Sequence, residues 1–108
     1  MSTTPITLTA TALDHTTMSV TLSGELDIDT AGRIEPHLAP LASCRHRDVM
    51  LDLAGVTFCD SSGAALLLRL HRQCAAEGVR LCLCRVPRVP GFVLRTLEVH
   101  RTVPCSFV

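Results

Sequence analysis

Between Val49 and Cys84 the hydrophobic pattern of the chain changes period twice, and that change limits the folds open to it. Val49-Met50-Leu51-Asp52-Leu53 is a short, nearly all-apolar run, which suits a strand covered on both faces. Gly55 to Cys59 follows, and then Asp60-Ser61-Ser62-Gly63. From Ala64 to Glu77 the apolar residues take helical spacing, and Gly78 stands in the C′ position that closes a helix. Val79 to Cys84 is again a buried strand pattern. A strand, a helix and a strand in this order imply parallel pairing through a crossover.

The flanks extend this unit. Ile6, Leu8, Ala10 and Ala12 alternate with Thr7, Thr9 and Thr11, and Met18, Val20 and Leu22 alternate with Ser19, Thr21 and Ser23. Each is a strand with one wet face, and Asp14-His15 makes the pair a hairpin that Gly24 ends. Ile34, Leu38 and Leu41 form a helical stripe, with Asp29 or Thr30 as its N-cap. Pro36 lies inside that stripe and implies a later start or a bend. Pro87 to Leu97 contains a short helix with Pro90 in its first turn, and Val103 to Val108 adds a last short strand. The expected fold class is α/β: a mixed, mostly parallel sheet opened by an antiparallel hairpin and packed with about three helices.

At 108 residues the chain has the length of one domain, spanning 1–108, with 1–5 and 104–108 expected to be loose. The ten basic residues, all Arg, balance ten acidic ones, and the aromatics are three Phe. That argues against a nucleic-acid partner, which needs a basic stripe or stacking platforms. The N-terminus has no basic region followed by an apolar core, and the longest apolar stretch, Ala64 to Leu68, is too short for a membrane span. The protein is therefore expected to be cytoplasmic, without a membrane partner. In that compartment the six cysteines read as reduced and mostly buried, since Cys59, Cys74, Cys82 and Cys84 fall in apolar segments.

Asp60-Ser61-Ser62-Gly63 is the informative segment. Asp60 or Ser61 can cap the first helical turn, and the positive end of the helix dipole tolerates a phosphate on Ser61. Gly63 removes a side chain, which would let another molecule approach the backbone. This is also ordinary capping chemistry. On a helical wheel Ala64, Leu67, Leu70, Cys74 and Ala75 share one face, whereas Ala65 and Leu66 turn toward the polar side. Leu66 then reads either as a partner contact beside the serines or as a residue covered by a loop.

Val49 to Gly63 resembles the signature segment of STAS-domain anti-sigma factor antagonists, and Gly24-Glu25-Leu26-Asp27 with Thr30 resembles that family's other block. The similarity runs from about Ile6 to Val99. It implies a STAS-type single domain and partner switching. The unmodified protein would bind an anti-sigma factor that is also a serine kinase, with ATP bound on the kinase, and so free a sigma factor. Phosphorylation of Ser61 would end that binding, and a metal-dependent serine phosphatase would reset it. The resemblance places Asp27 near Ser61, so the partner-binding set is Asp27, Asp60, Ser61, Ser62, Gly63 and Leu66. Ala64 departs from the family pattern, which often has Leu there.

Rival chemistries find less support. A hydrolase needs a base and an oxyanion hole, yet none of His15, His37, His46, His71 and His100 stands in a triad context, and Ser61 lacks a Gly-x-Ser-x-Gly elbow. No catalytic residue and no cofactor are expected. Cys82 and Cys84 share a strand face, and His71 and Cys74 are three apart on a helix, but neither pair has the second pair that structural zinc needs. No metal is expected. The alternative within the same fold is a STAS module that serves as a scaffold, in a lipid-transport assembly or in nucleotide sensing.

Overall fold

The computed structural model describes residues 5–43 and 45–108. Its elements run β1 (Thr7–Ala12), β2 (Thr17–Leu26), α1 (Ile28–Leu38), a 3-10 turn (Ala39–Ser43), β3 (Asp48–Cys59), α2 (Ser61–Ala76), β4 (Arg80–Val86), α3 (Arg88–Thr96), a second 3-10 turn (Val99–Arg101) and β5 (Cys105–Phe107). The five strands lie in chain order in one sheet, antiparallel between β1 and β2 and parallel thereafter. This is the mixed sheet opened by a hairpin that the hydrophobic pattern predicts. Asp14 makes the hairpin turn by accepting the backbone N–H groups of Thr16 (2.7 Å) and Thr17 (2.8 Å).

One core cluster holds the molecule together. Val20, Leu22 and Leu26 of β2, Val49, Leu51, Leu53 and Val56 of β3, and Leu81, Leu83 and Val86 of β4 meet Ile34, Leu38, Leu67, Leu70 and Leu94 of the helices. Burial of these side chains from water is the main favourable term in folding. The helices therefore cover one face of the sheet. On the other face Ser19, Thr21 and Ser23 of β2, Met50 and Asp52 of β3, and Cys82 and Cys84 of β4 are half-buried or exposed. The expectation that β3 and β4 are covered on both faces is thus corrected. Met50, Cys82 and Cys84 are hydrophobic enough to make each run look continuous, although they alternate outward.

Four boundaries also differ from expectation. Gly24 does not end β2, which continues to Leu26 across register shifts at Thr21/Ser23 and Gly24/Glu25. Gly55 to Cys59 is not a separate segment but the second half of the 12-residue β3. Helix α1 starts before Asp29, with Asp27 as its N-cap, and accommodates Pro36 close to its end before tightening into 3-10 geometry at Ala39. The 104–108 segment is tied in, because Leu83 donates to the Pro104 carbonyl (2.8 Å), Val108 donates to the Val86 carbonyl (3.0 Å), and Val103 is buried. Of the 1–5 segment, residues 1–4 lie outside the described residues, and Pro5 is exposed. Gly78 has a left-handed backbone (φ +74°) just past α2, as its C′ position requires.

The candidate functional site at two helix mouths

Two adjacent parallel strands end side by side, and each passes through an aspartate into a helix. Leu26 of β2 is the register partner of Cys59 of β3, and the Asp60 N–H donates to the Leu26 carbonyl at 3.2 Å. Asp27 and Asp60, the next residues, have nearly the same backbone angles, φ −109° and ψ −172° for one, φ −113° and ψ −169° for the other. An extended N-cap of this kind turns its carboxylate back onto the free N–H groups of the first turn. The carboxyl edge of a parallel sheet is where open α/β folds gather their ligand sites.

The first mouth is closed by a capping box. Asp27 Oδ1 accepts from the backbone of Asp29 (3.0 Å) and Thr30 (2.9 Å), and Thr30 Oγ1 accepts from the Asp27 N–H (2.9 Å). Thr30 is 2% exposed and donates its hydroxyl to the Glu25 carbonyl at 2.7 Å, which locks the turn to the end of β2. The hydrogen bond from the Thr30 N–H, chiefly, holds the Asp27 carboxyl below the usual aspartate range. A charged Asp27 is thus built into the helix start.

At the second mouth Asp60 Oδ1 accepts from the N–H groups of Ser62 (2.9 Å) and Gly63 (3.2 Å). Of the two sequence candidates for this cap, Asp60 takes the role. Ser61 is then the first helical residue, exposed, and its hydroxyl forms no hydrogen bond among the described residues. Ser62 is half-buried behind it. Asp27, Asp60, Ser61 and Ser62 therefore share one rim of the molecule.

Two of the residues expected to contact a partner do not belong to that rim. Leu66 is 1% exposed and lies in the core. Helix α2 packs against α1, α3, the sheet and the 3-10 turn together, so its buried arc is wider than the stripe set by Leu67, Leu70 and Cys74. Gly63 is likewise buried, and a Cβ there would stand 2.8 Å from Cys59 Sγ, Leu26 Cγ and the Leu26 carbonyl oxygen. Its missing side chain admits β2 to the helix, not an outside molecule.

The rim has two apolar members that the sequence pattern did not single out. Ile28, the first residue of α1, is 72% exposed, and Phe58 of β3 is 42% exposed. Ile28 lies about a quarter turn off the Ala31, Ile34 and Leu38 stripe, which was a legible signal. Phe58 is turned outward by the second register shift, which sets it opposite Glu25 and leaves Cys59 to the core. Burial pushes the Cys59 thiol up to about 11, with the Asp60 charge adding to the effect.

Among the described residues no group of three or more His, Cys, Asp or Glu side chains is placed to hold a metal ion. No helix among them is long and apolar enough to cross a membrane.

The STAS domain family model matches residues 8–106, and the chain belongs to that family. Its fold is that of solved anti-sigma factor antagonists. The one from Mycobacterium paratuberculosis is 22% identical, with 95% of this chain and 88% of that chain covered and a TM-score of 0.82. The antagonist SpoIIAA in its unphosphorylated form is 19% identical over 93% of this chain and 88% of that one, with a TM-score of 0.75. The phosphorylated form of the Bacillus protein SpoIIAA is likewise 19% identical over 93% of this chain and 91% of that one, with a TM-score of 0.66. No curated protein sequence matches the chain.

Proposed function

We propose that this protein is an anti-sigma factor antagonist, a binding protein and not an enzyme, that acts in the cytoplasm and is switched off by phosphorylation of Ser61. The unmodified form binds an anti-sigma factor serine kinase through the rim formed by Asp27, Asp60, Ser61 and Ser62, and this frees a sigma factor. The kinase, carrying ATP, phosphorylates Ser61, and a serine phosphatase reverses the step. The observation that carries this reading is Ser61 itself: an exposed hydroxyl, without a hydrogen bond among the described residues, at the first position of a 16-residue helix whose first turn is capped by another residue. A phosphate there meets the positive end of the helix dipole without displacing the cap. Membership of the STAS family, and a fold shared with an antagonist known in unphosphorylated and phosphorylated forms, support the same reading.

The switch acts at the interface. A phosphate adds about −1.5 to −2 charges. A kinase that has just transferred it holds an anionic nucleotide nearby, and two like charges about 6 Å apart at an effective dielectric of about 20 repel by roughly 3 kcal/mol. That weakens binding on the order of a hundredfold. Incubation with an anti-sigma serine kinase and ATP, followed by intact mass and phosphopeptide mapping, should give one phosphate on Ser61. Ser61→Ala should bind the kinase and stay unmodified. A phosphate on Ser62, or none, would overturn the assignment.

A further inference from the structure

The uncovered face of the sheet brings two sulfur side chains of β4 beside a third from β3. Leu81 and Leu83 of β4 point into the core, so Cys82 and Cys84 point the other way, on the open face. The register partner of Cys82 on β3 is Met50, which is 39% exposed on the same face. All three side chains line one open groove, with Asp48 and Arg80 at its border. Neither Cys82 nor Cys84 is in a disulfide, and both are half-buried. Residues two apart on a strand are roughly 6.6 Å apart and paired strands about 4.8 Å apart along the backbone, so the three side chains are immediate neighbours on one face and their ends can turn toward a shared point.

We propose that Cys82, Cys84 and Met50 form a binding site for a soft monovalent metal ion of the copper(I) class. Thiolate and thioether ligands together select such ions. Zinc would want four nitrogen, sulfur or oxygen ligands, and the described residues do not assemble them here. Binding forms two copper–thiolate bonds and a neutral thioether contact, and it releases the two thiol protons to solvent with no change of oxidation state. The bis-thiolate centre carries one net negative charge. Arg80, paired with Asp48, borders the groove, and Arg85, paired with Asp52, follows Cys84 at the end of β4. The site is remote in function from the helix mouths, since neither thiol caps or contacts Asp27, Asp60 or Ser61 in any hydrogen bond or ion pair.

The test is an anaerobic titration of the reduced full chain with copper(I) against a coloured copper(I) chelator, with circular dichroism to confirm that each variant is folded. One equivalent should bind, with a thiolate-to-copper band in the near ultraviolet. Cys82→Ser and Cys84→Ser should each lower the affinity by about a hundredfold, and Met50→Leu by about tenfold. Cys105→Ser, at the nearby β5 thiol, should leave it unchanged. The proposal is overturned if the folded Cys82→Ser/Cys84→Ser double variant binds as well as the parent, if no tight equivalent binds, or if zinc competes on equal terms.

Discussion

Asp27 has two employments, and they can be separated. Its carboxylate holds the first turn of α1, and it stands on the rim with Ser61. Asp27→Ala should therefore lower the thermal midpoint as well as weaken kinase binding, whereas Asp27→Asn, which keeps a capping oxygen, should retain most of the stability and lose mainly the charge-dependent part of binding. Calorimetry paired with a binding isotherm for both variants checks this. If Asp27→Ala melts like the parent, the capping box contributes nothing. The buried pair of surprises, Gly63 and Leu66, makes the opposite point. Gly63→Ala forces a methyl against Leu26 and Cys59 and should cost about 1–3 kcal/mol. Leu66→Ala should cost about 2–5 kcal/mol. Any loss of binding in either variant should track the loss of folded protein in a denaturant titration.

At the scale of elements, ion pairs tie neighbours together on their outer surfaces. Arg69 Nε donates to Glu35 at 2.8 Å between α2 and α1, Arg80 Nε donates to Asp48 at 2.7 Å, and Arg85 Nε donates to Asp52 at 3.0 Å between β4 and β3. The Arg69 hydrogen bond holds the Glu35 carboxyl low, and the Arg85 hydrogen bond does the same for Asp52. A carboxyl whose folded pKa is depressed adds stability above its unfolded pKa and loses it as pH falls through the folded value. The thermal midpoint should thus hold from pH 7 to about 5 and decline below about pH 4, more gently in Asp52→Asn than in the parent. These pairs are largely exposed, so added salt should shrink the difference. The element order itself was readable: alternation marks β1 and β2, Gly78 closes α2, and Pro90 fits the first turn of α3. The one-sided sheet was not, because Met50, Cys82 and Cys84 are apolar yet face outward. Neither was the burial of Leu66, since a wheel drawn for one helix knows nothing of the helices on both sides of it.

For the whole molecule, the five described cysteines are free, and none contributes a covalent tie. Melting in the presence and absence of reductant should coincide, and a lower midpoint in reductant would contradict the single-core account. The rim that carries Ser61 also carries its near copy. Ile28 occupies in α1 the place that Ser61 occupies in α2: each follows an aspartate with the same backbone turn at the end of neighbouring strands, about 5 Å apart. A kinase that recognised only the local shape of a capped helix start would have two addresses to choose from. One of them is silent because its first side chain is a hydrocarbon. In the proposed switch the information would therefore reside in a single hydroxyl set against a duplicate that cannot answer, and exchanging those two side chains should move the phosphate by one strand, to position 28, in phosphopeptide mapping.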